Sequence, residues 1–448
     1  TAGLSWYFLG VSHLRLGDDG EALRCAYRAI LCLGTDSLGC DLAGRAYMRL
    51  GEYSRAAEVF GAAVRINSKD YKAQDHLLLA LYAAGRKKAA YKQAEARIAE
   101  NPTALVPRMI IALQNKNQMD RFVRNSRAFV GEDEFEMLQA GLAFAEMAMF
   151  KEAEELLRAA CVETLPEDQQ NPMPLYYLAY LASLQKEEAK AGEYLARAAK
   201  LHQDYVFPSR PEEAPIFEYA VNNNPGDAHA HLHLGNLYSH LDRQDEAVRQ
   251  WSRAVELDSS LSVAFRNVGL HAWAQEEDLS KAEELYRKAV AARPNDQTLY
   301  RDLADILLAA KKRPDAIKVL ESTPYEKIRR ADIIIMLAQM YFDEQQYTDA
   351  IDLLESTPYF VNWEGQTITW DIFHNAHVKR GRHRFEKEDY TGALHDFEAS
   401  LTYPDNIGVG RSNRPQEAAA QYWRGKALQA LGRVEEARSA WKEGAAGH

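Results

Sequence analysis

Along most of the chain, apolar and small residues return every three or four positions, in short runs broken by brief polar turns. This spacing sets the apolar residues on one helical face and predicts a succession of short amphipathic helices. The helices come in pairs. Gly44-x-x-Tyr47 is followed by a turn at Leu50-Gly51-Glu52-Tyr53, then by Ala56, Phe60 and Ala63, a small–large–small helix. Leu320-Glu321-Ser322-Thr323-Pro324-Tyr325 returns as Leu354-Glu355-Ser356-Thr357-Pro358-Tyr359, an offset of 34 residues that sets the period. A small residue in a first helix lets its neighbour approach closely, and large residues three or four positions away fill the groove so opened. One hairpin cannot bury both of its apolar faces, so units stack and share a core. Asn101-Pro102, Arg293-Pro294-Asn295-Asp296 and Thr323-Pro324 follow second helices, where proline ends a helix.

The same skeleton reads Trp6, Leu9, Gly10, Ala22, Ala29 at the start and Ala140, Gly141, Phe144, Ala153, Leu157, Ala160 near the middle. It continues with Leu234, Gly235, Tyr238, Ala247, Trp251, Ala254, then Phe265, Gly269, Ala282, Tyr286, Ala289, and ends with Gly425, Ala437 and Trp441. This pattern resembles the tetratricopeptide repeat over most of the chain. The resemblance implies an all-α, right-handed superhelix (α-solenoid) of about eleven to twelve stacked hairpins.

Breaks in the register predict the organisation. The unit near 105–131 has lost its glycine–aromatic pairing, with Asn115-Lys116-Asn117 in place of a clean turn, and reads as a degenerate repeat. Between 205 and 227, Pro208, Pro211 and Pro215 forbid one continuous helix. The expected division is a sub-array over 1–204, a proline-rich joint over 205–227 and a second sub-array over 228–448, with insertions near 363–371 and 403–417. The chain opens at Thr1 directly in a helical pattern, so a fragment or a processed product is expected.

Charge and motifs narrow the function. Asp plus Glu number 65 against 54 Lys plus Arg, for a net charge of −11, which disfavours nucleic acid. No apolar run is long enough to span a membrane. Cys25, Cys32, Cys40 and Cys161 are too few and too irregular for a disulfide framework, so free thiols and a cytoplasmic setting are expected. No P-loop, Gly-x-Ser-x-Gly elbow, His-Glu-x-x-His or EF-hand loop is present, and catalysis and cofactors are not expected. His229 and His233 stand one turn apart, as two metal ligands would, beside His231 and His240; no cysteine or carboxylate is spaced to complete four ligands. The expectation is solvated polar positions and no metal, and likewise for His374 and His377.

First helices of a stacked array line its concave face, so their non-skeleton residues are free to bind. In the second sub-array these are His229, Asn236, Arg266, Trp273, Arg301, Asp305, Gln339, Phe342, Arg382, Phe385, Tyr422 and Lys426. Cations mixed with aromatics suit an extended acidic or amphipathic peptide. Chaperone-binding relatives of the repeat grip a terminal carboxylate with a lysine and paired asparagines. Asn236 and Asn267 match, but Leu232 replaces the lysine and Thr298 and Asp302 replace later cations, so that clamp is not expected. Arg411 and Arg414 could dock a partner domain or an anion, or sit in a solvent-exposed crossover, the reading favoured for their loop. Together with Trp363-Glu364-Gly365, Phe207-Pro208-Ser209-Arg210, Arg266-Asn267 and Tyr422-Trp423-x-Gly425, that loop resembles the C-terminal helical region of large bacterial proteins with an N-terminal domain of unknown function. That second resemblance implies a link to carbohydrate metabolism. The expected function is a non-catalytic interaction scaffold, holding a partner protein or peptide, or another domain of its own chain. The alternative is an accessory or dimerisation module of a larger carbohydrate-active enzyme, with a homodimer as one form.

Overall fold

The computed structural model describes residues 2–34, 37–114, 118, 122, 135–161, 170–201, 206–324, 329–361, 366–412 and 415–446. Among them the regular elements are twenty-four α-helices and two short 3-10 turns. Contacts divide the chain into residues 1–257 and 258–448, and the proline-rich stretch expected as a joint lies inside the first of these.

The first unit contains α1 (Ala2–Arg15), α2 (Asp19–Leu33), α3 (Leu38–Arg49), α4 (Tyr53–Ile66), α5 (Tyr71–Ala83), α6 (Lys87–Glu100) and α7 (Leu105–Ala112). It continues with α8 (Phe135–Glu146), α9 (Phe150–Ala160), α10 (Met173–Leu184), α11 (Glu188–Ala198), α12 (Ala214–Asn223), α13 (Ala228–His240) and α14 (Gln244–Leu257). The second unit contains α15 (Ser262–Ala274), α16 (Leu279–Ala292), α17 (Gln297–Ala309), α18 (Arg313–Glu321) and α19 (Ala331–Asp343). Its last helices are α20 (Tyr347–Ser356), α21 (Ile368–Glu386), α22 (Tyr390–Ala399), α23 (Ala418–Ala430) and α24 (Val434–Ala446). Eleven pairs form antiparallel hairpins, while α7 and α12 stand outside the pairing. Both units are thus α-solenoids of stacked hairpins, as the repeat predicts.

Two devices recur. Aspartate caps many helix starts: Asp70 accepts from the Ala73 amide, Asp227 from those of His229 and Ala230, and Asp278 from that of Lys281. Inside six hairpins, a glycine of the first helix receives a large residue from the second. A β-carbon at Gly44 would lie 2.5 Å from the Phe60 ring, and one at Gly235 would lie 2.5 Å from Trp251, so any side chain there forces the hairpin apart. Gly44–Phe60, Gly141–Leu157, Gly235–Trp251, Gly381–Phe397 and Gly425–Trp441 all keep a separation of 16 residues. Gly269–Tyr286 is 17 apart, because the turn between α15 and α16 carries one more residue than the others.

Each hairpin turn holds one residue in the left-handed backbone region. The series runs Gly17, Gly51, Gly85, Ala148, Lys186, Asp242, Glu277, Lys311, Gln345, Glu388, Gly432. Gly17, Gly51 and Gly85 are spaced by 34, as are Glu277, Lys311 and Gln345. Gln345 to Glu388 is 43 and Glu388 to Gly432 is 44, which locates the added residues of the two insertions.

Those insertions are structured where described. Ile368–Asp371 form the first turn of α21, and Trp363, Glu364 and Gly365 lie outside the described residues. After α22 the loop first packs on the array through residues 403–407, and then Gly408, Gly410, Arg411 and Ser412 lie exposed, as expected for that stretch. Ile407 is fully buried, the Asn406 amide donates to the carbonyls of Leu354 and Thr357, and the Thr369 hydroxyl donates to the Ile407 carbonyl. Trp370 stacks on Tyr403 at 4.8 Å and on His374 at 4.6 Å. In the degenerate repeat only α7 and a few neighbours are described; Asn115, Lys116 and Asn117 lie outside the described residues.

Candidate functional site

Of the residues expected to line a binding face, His229 and Asn236 fall in the first unit and the others in the second. Most are engaged by neighbours of their own chain. Asn236 accepts a hydrogen bond from the Trp251 indole at 2.9 Å, and so serves the glycine–tryptophan contact of its hairpin. The Arg266 guanidinium meets Asp302 at 3.1 Å, Arg301 meets Asp305 at 3.0 Å, and the Gln339 amide donates to Asp343 at 2.8 Å. Trp273 and Phe342 pack against core clusters. Arg382 lies 4.9 Å over the Trp423 ring, Phe385 meets the same ring edge-on, and Tyr422 is half exposed beside it. Lys426 is half-buried. Arg411 holds Glu417 by two hydrogen bonds, joined there by the Tyr403 hydroxyl, and thereby anchors the loop; Arg414 lies outside the described residues. The chaperone-type clamp positions are likewise used internally: Leu232 is buried, Thr298 accepts from Arg330, and Asp302 holds Arg266.

Of the six clustered histidines, His240 is exposed, as expected, and His229 is half-buried, but the other four are not solvated polar positions. His231 and His233 are buried, with Nδ1 of His231 2.6 Å from Gln250 and His233 packed against Tyr176 and Phe217. Burial, helped by the nearby His229, pushes His233 down to about 3, so it stays neutral. His374 and His377 are buried too, bonded to the Ser400 carbonyl and to Asp396. Among the described residues no group of three His, Cys, Asp or Glu side chains could hold a metal ion.

Sequence reasoning passed over the first unit, where first helices converge on a cavity of about 600 Å³. Residues of α1, α3, α5, α8 and α10 line it, each set by helical spacing: Tyr7, Val11 and Arg15; Arg45 and Arg49; Lys72; Leu142 and Glu146; Tyr180 and Leu184. The proline-rich segment closes one side with Pro211, Glu212 and Pro215. That segment is fixed by Glu213, which is 1% exposed, accepts from the Tyr177 hydroxyl at 2.8 Å and takes the backbone amides of Ser209 and Arg210. Arg210 reaches back to Gln139 of α8.

The cavity wall carries four cations, Arg15, Arg45, Arg49 and Lys72, against Glu146 and Glu212. Arg45 is held between Asp41 at 3.2 Å and Glu146 at 3.9 Å, and Arg49 rests on Asp19 at 2.7 Å. Lys72 is half exposed, with Glu146 no nearer than 3.9 Å. Burial raises the Asp41 carboxyl, but His76 and Arg45 outweigh it and hold it well below the carboxylate range, so it stays ionised. Burial raises the hydroxyls of Tyr7 and Tyr180, which remain neutral donors. Cations beside aromatic and aliphatic surface suit an anionic chain with apolar side groups. Reading the inner face of the first sub-array as was done for the second would have found Arg45, Arg49 and Lys72. The contribution of residues 211–215 has no local signal.

Two repeat profiles match parts of the chain. Residues 42–104 and 378–447 match one tetratricopeptide repeat profile and residues 274–327 another. Hsp70-Hsp90 organizing protein 1 of Glycine max is 28% identical over 173 residues, covering 36% of this chain and 29% of that relative; the match thus spans less than a third of its length. Among solved structures, yeast Tom70 is similar over 98% of this chain and 96% of its own, at 16% identity and a TM-score of 0.27. Pseudomonas aeruginosa pilF is similar over 49% of this chain and 88% of its own (17%, 0.29), and YrrB, described as a TPR protein with an unusual peptide-binding site, over 49% and 97% (23%, 0.21). Residues 42–104, 274–327 and 378–447 thus match tetratricopeptide repeats, and hairpin pairing with a 34-residue turn spacing is found in both units.

Proposed function

We propose that the chain is a non-catalytic protein-interaction scaffold whose first-unit channel receives an extended, acidic and partly apolar segment of a partner. The observation that carries this is the convergence of five first helices on one cavity with twice as many cations as carboxylates. Aromatic and aliphatic walls supply anchors, and the cations supply charge-assisted hydrogen bonds. Likeness to a relative named for organizing Hsp70 and Hsp90 favours a scaffold, without extending those partners to this chain. The second-unit residues Arg266, Arg301, Gln339, Arg382, Tyr422 and Lys426 form the competing surface, where an incoming carboxylate must displace internal ones.

The test uses the full chain and a fluorescein-labelled octapeptide of alternating leucine and glutamate, read by anisotropy. R49A/K72A is expected to weaken binding about tenfold, roughly 1.4 kcal/mol, and R266A/R301A to leave it within about twofold. A loss confined to R266A/R301A moves the partner to the second unit and overturns the channel. The alternative, an accessory or dimerisation module of a larger bacterial carbohydrate-active enzyme, rests on the second resemblance. A catalytic domain in the full gene product, with dimers by light scattering, would favour it.

A further inference from the structure

The turns at Gly17, Gly51 and Gly85 keep one 34-residue register, so each position of α1 has a counterpart in α3. The counterparts of Ser5, Trp6, Phe8, Leu9 and Ser12 are Gly39, Cys40, Leu42, Ala43 and Ala46, and all five are buried. The hairpin before them buries them: Leu42, Ala43 and Ala46 pack with Leu14, Ala22 and Ala26, while Gly39 and Cys40 lie against Ile30. On α1 the same positions are bare among the described residues. Phe8 is 63% exposed, Leu9 46% and Trp6 37%, and Leu16, two turns beyond Leu9, is 82% exposed. The last helix, α24, is built differently. Glu435, Glu436, Arg438, Ser439, Lys442 and Glu443 are its exposed face, with Val434 its one exposed large apolar side chain among the described residues. A terminal repeat keeps such a polar outer face to remain in water, so α24 is finished as an end and α1 is not.

The bare face fits a copy of itself. Ser5, Leu9, Ser12 and Leu16 follow one another at steps of four, three and four, one exposed stripe along the helix. Two such helices running antiparallel about a two-fold axis set each leucine against a serine of the copy, large against small in every layer. A parallel pair would instead stack leucine on leucine. The Ser12 hydroxyl already donates to the Phe8 carbonyl at 3.0 Å, so it enters such a layer satisfied. Trp6, Phe8, Leu9 and Leu16 leave roughly 500 Å² bare per copy, which over two copies and with the usual polar share reaches the range of about 1,200–2,000 Å² of stable dimers. Arg15, Arg24 and Arg28 balance Asp18, Asp19 and Glu21, so this hairpin is neutral in a chain of net charge −11, and two copies meet here without net repulsion. Head-to-tail growth has no such match, because α24 offers charge where an apolar neighbour is needed.

We propose that two copies of this chain dimerise through α1, antiparallel across a two-fold axis, with Leu9 and Leu16 of each seated over Ser12 and Ser5 of the other and Trp6 and Phe8 at the flanks. Phe8 and Ser12 also line the channel, so the contact lies beside it, but the dimer does not rest on peptide binding there.

The experiment follows the full chain by sedimentation over a dilution series, with helicity checked by circular dichroism. The natural chain is expected to dimerise. A symmetric contact loses each side chain twice, so L9A is expected to raise the midpoint concentration about tenfold and L9E at least about a hundredfold. V434E, at an equally exposed leucine-sized position on α24, is expected to change nothing. S5L adds apolar surface yet overfills the layer with Leu16, and is expected to weaken the dimer, where mere apolar adhesion would be strengthened. A monomer at every concentration overturns the proposal, and a monomer whose α1 amides resist hydrogen exchange does so in favour of cover by another part of the same polypeptide. A dimer indifferent to L9A and L9E, or tightened by S5L, overturns the α1 packing.

Discussion

The two units carry similar residues on their first helices and use them differently. In the second, arginines are spent on the chain's own carboxylates: Arg266 on Asp302, Arg301 on Asp305, and Arg380 and Arg384 on Asp396, which is fully buried and also takes His377. In the first, Arg45 and Arg49 are paired too, but their far sides face a cavity that Arg15 and Lys72 share. A cation on an inner face is therefore no sign of a ligand until its counter-charge has been located. The first unit leaves open volume beside its cations, and the second fills most of the equivalent places with its own carboxylates.

The largest way to sharpen this contrast is D396A. It leaves Arg380 and Arg384 without their carboxylate and His377 with only the half-exposed Glu355 at 3.6 Å, and is expected to cost about 3–5 kcal/mol in chemical denaturation, whereas K72A, half exposed, stays within about 0.5 kcal/mol. Similar losses in the two would erase the distinction between structural and available cations. Acid acts next, and on the first unit. His233 titrates near 3 when folded and near 6.5 when unfolded, so the unfolded chain takes the proton first. Its contribution is complete above pH 6.5 and shrinks as pH falls toward 3, with a slope approaching about 1.4 kcal/mol per pH unit. H233F, placed beside Tyr176 and Phe217, should flatten the acid limb of stability against pH; superimposable limbs would remove His233 from the account.

The smallest expected effect concerns turns. The first three hairpins use Gly17, Gly51 and Gly85 in the left-handed region, while four of the second unit's five turns use Glu277, Lys311, Gln345 and Glu388. K311G and Q345G should each raise stability by about 0.5–1 kcal/mol, and G51A should lower it by about 1 kcal/mol, read from unfolding midpoints. A loss in K311G would show that its side chain contributes more than its backbone strain costs.

Much of the fold was legible because it is local. The Gly44–Phe60 and Gly235–Trp251 pairs sit within one hairpin, and a fixed offset exposes them. The binding surface was less legible, for two physical reasons. Whether Arg301 is available depends on Asp305 one turn on, which spacing shows; whether Arg266 is depends on Asp302 in the next hairpin, which it shows poorly. The first-unit cavity draws on residues from Tyr7 to Pro215, and its closing wall is set by a buried carboxylate, Glu213, in a segment that reads only as helix-breaking. The burial of His231 and His233 escaped notice for a related reason: a first helix packed on both sides hides polar positions that a lone amphipathic helix would leave in water.

The left-handed turn residues also divide the protein into exchangeable cassettes. A cut after Lys311 rejoined after Gln345 would excise one 34-residue length and return the chain to the same backbone conformation, with the lost Leu320 segment replaced by the identical Leu354 segment. Gene duplication or deletion between such marks changes the length of an inner face without redesigning any hairpin. The number of units is thus a quantity that recombination can adjust, whereas the 206–215 segment, anchored to α8 and α10, ties its neighbours to one order.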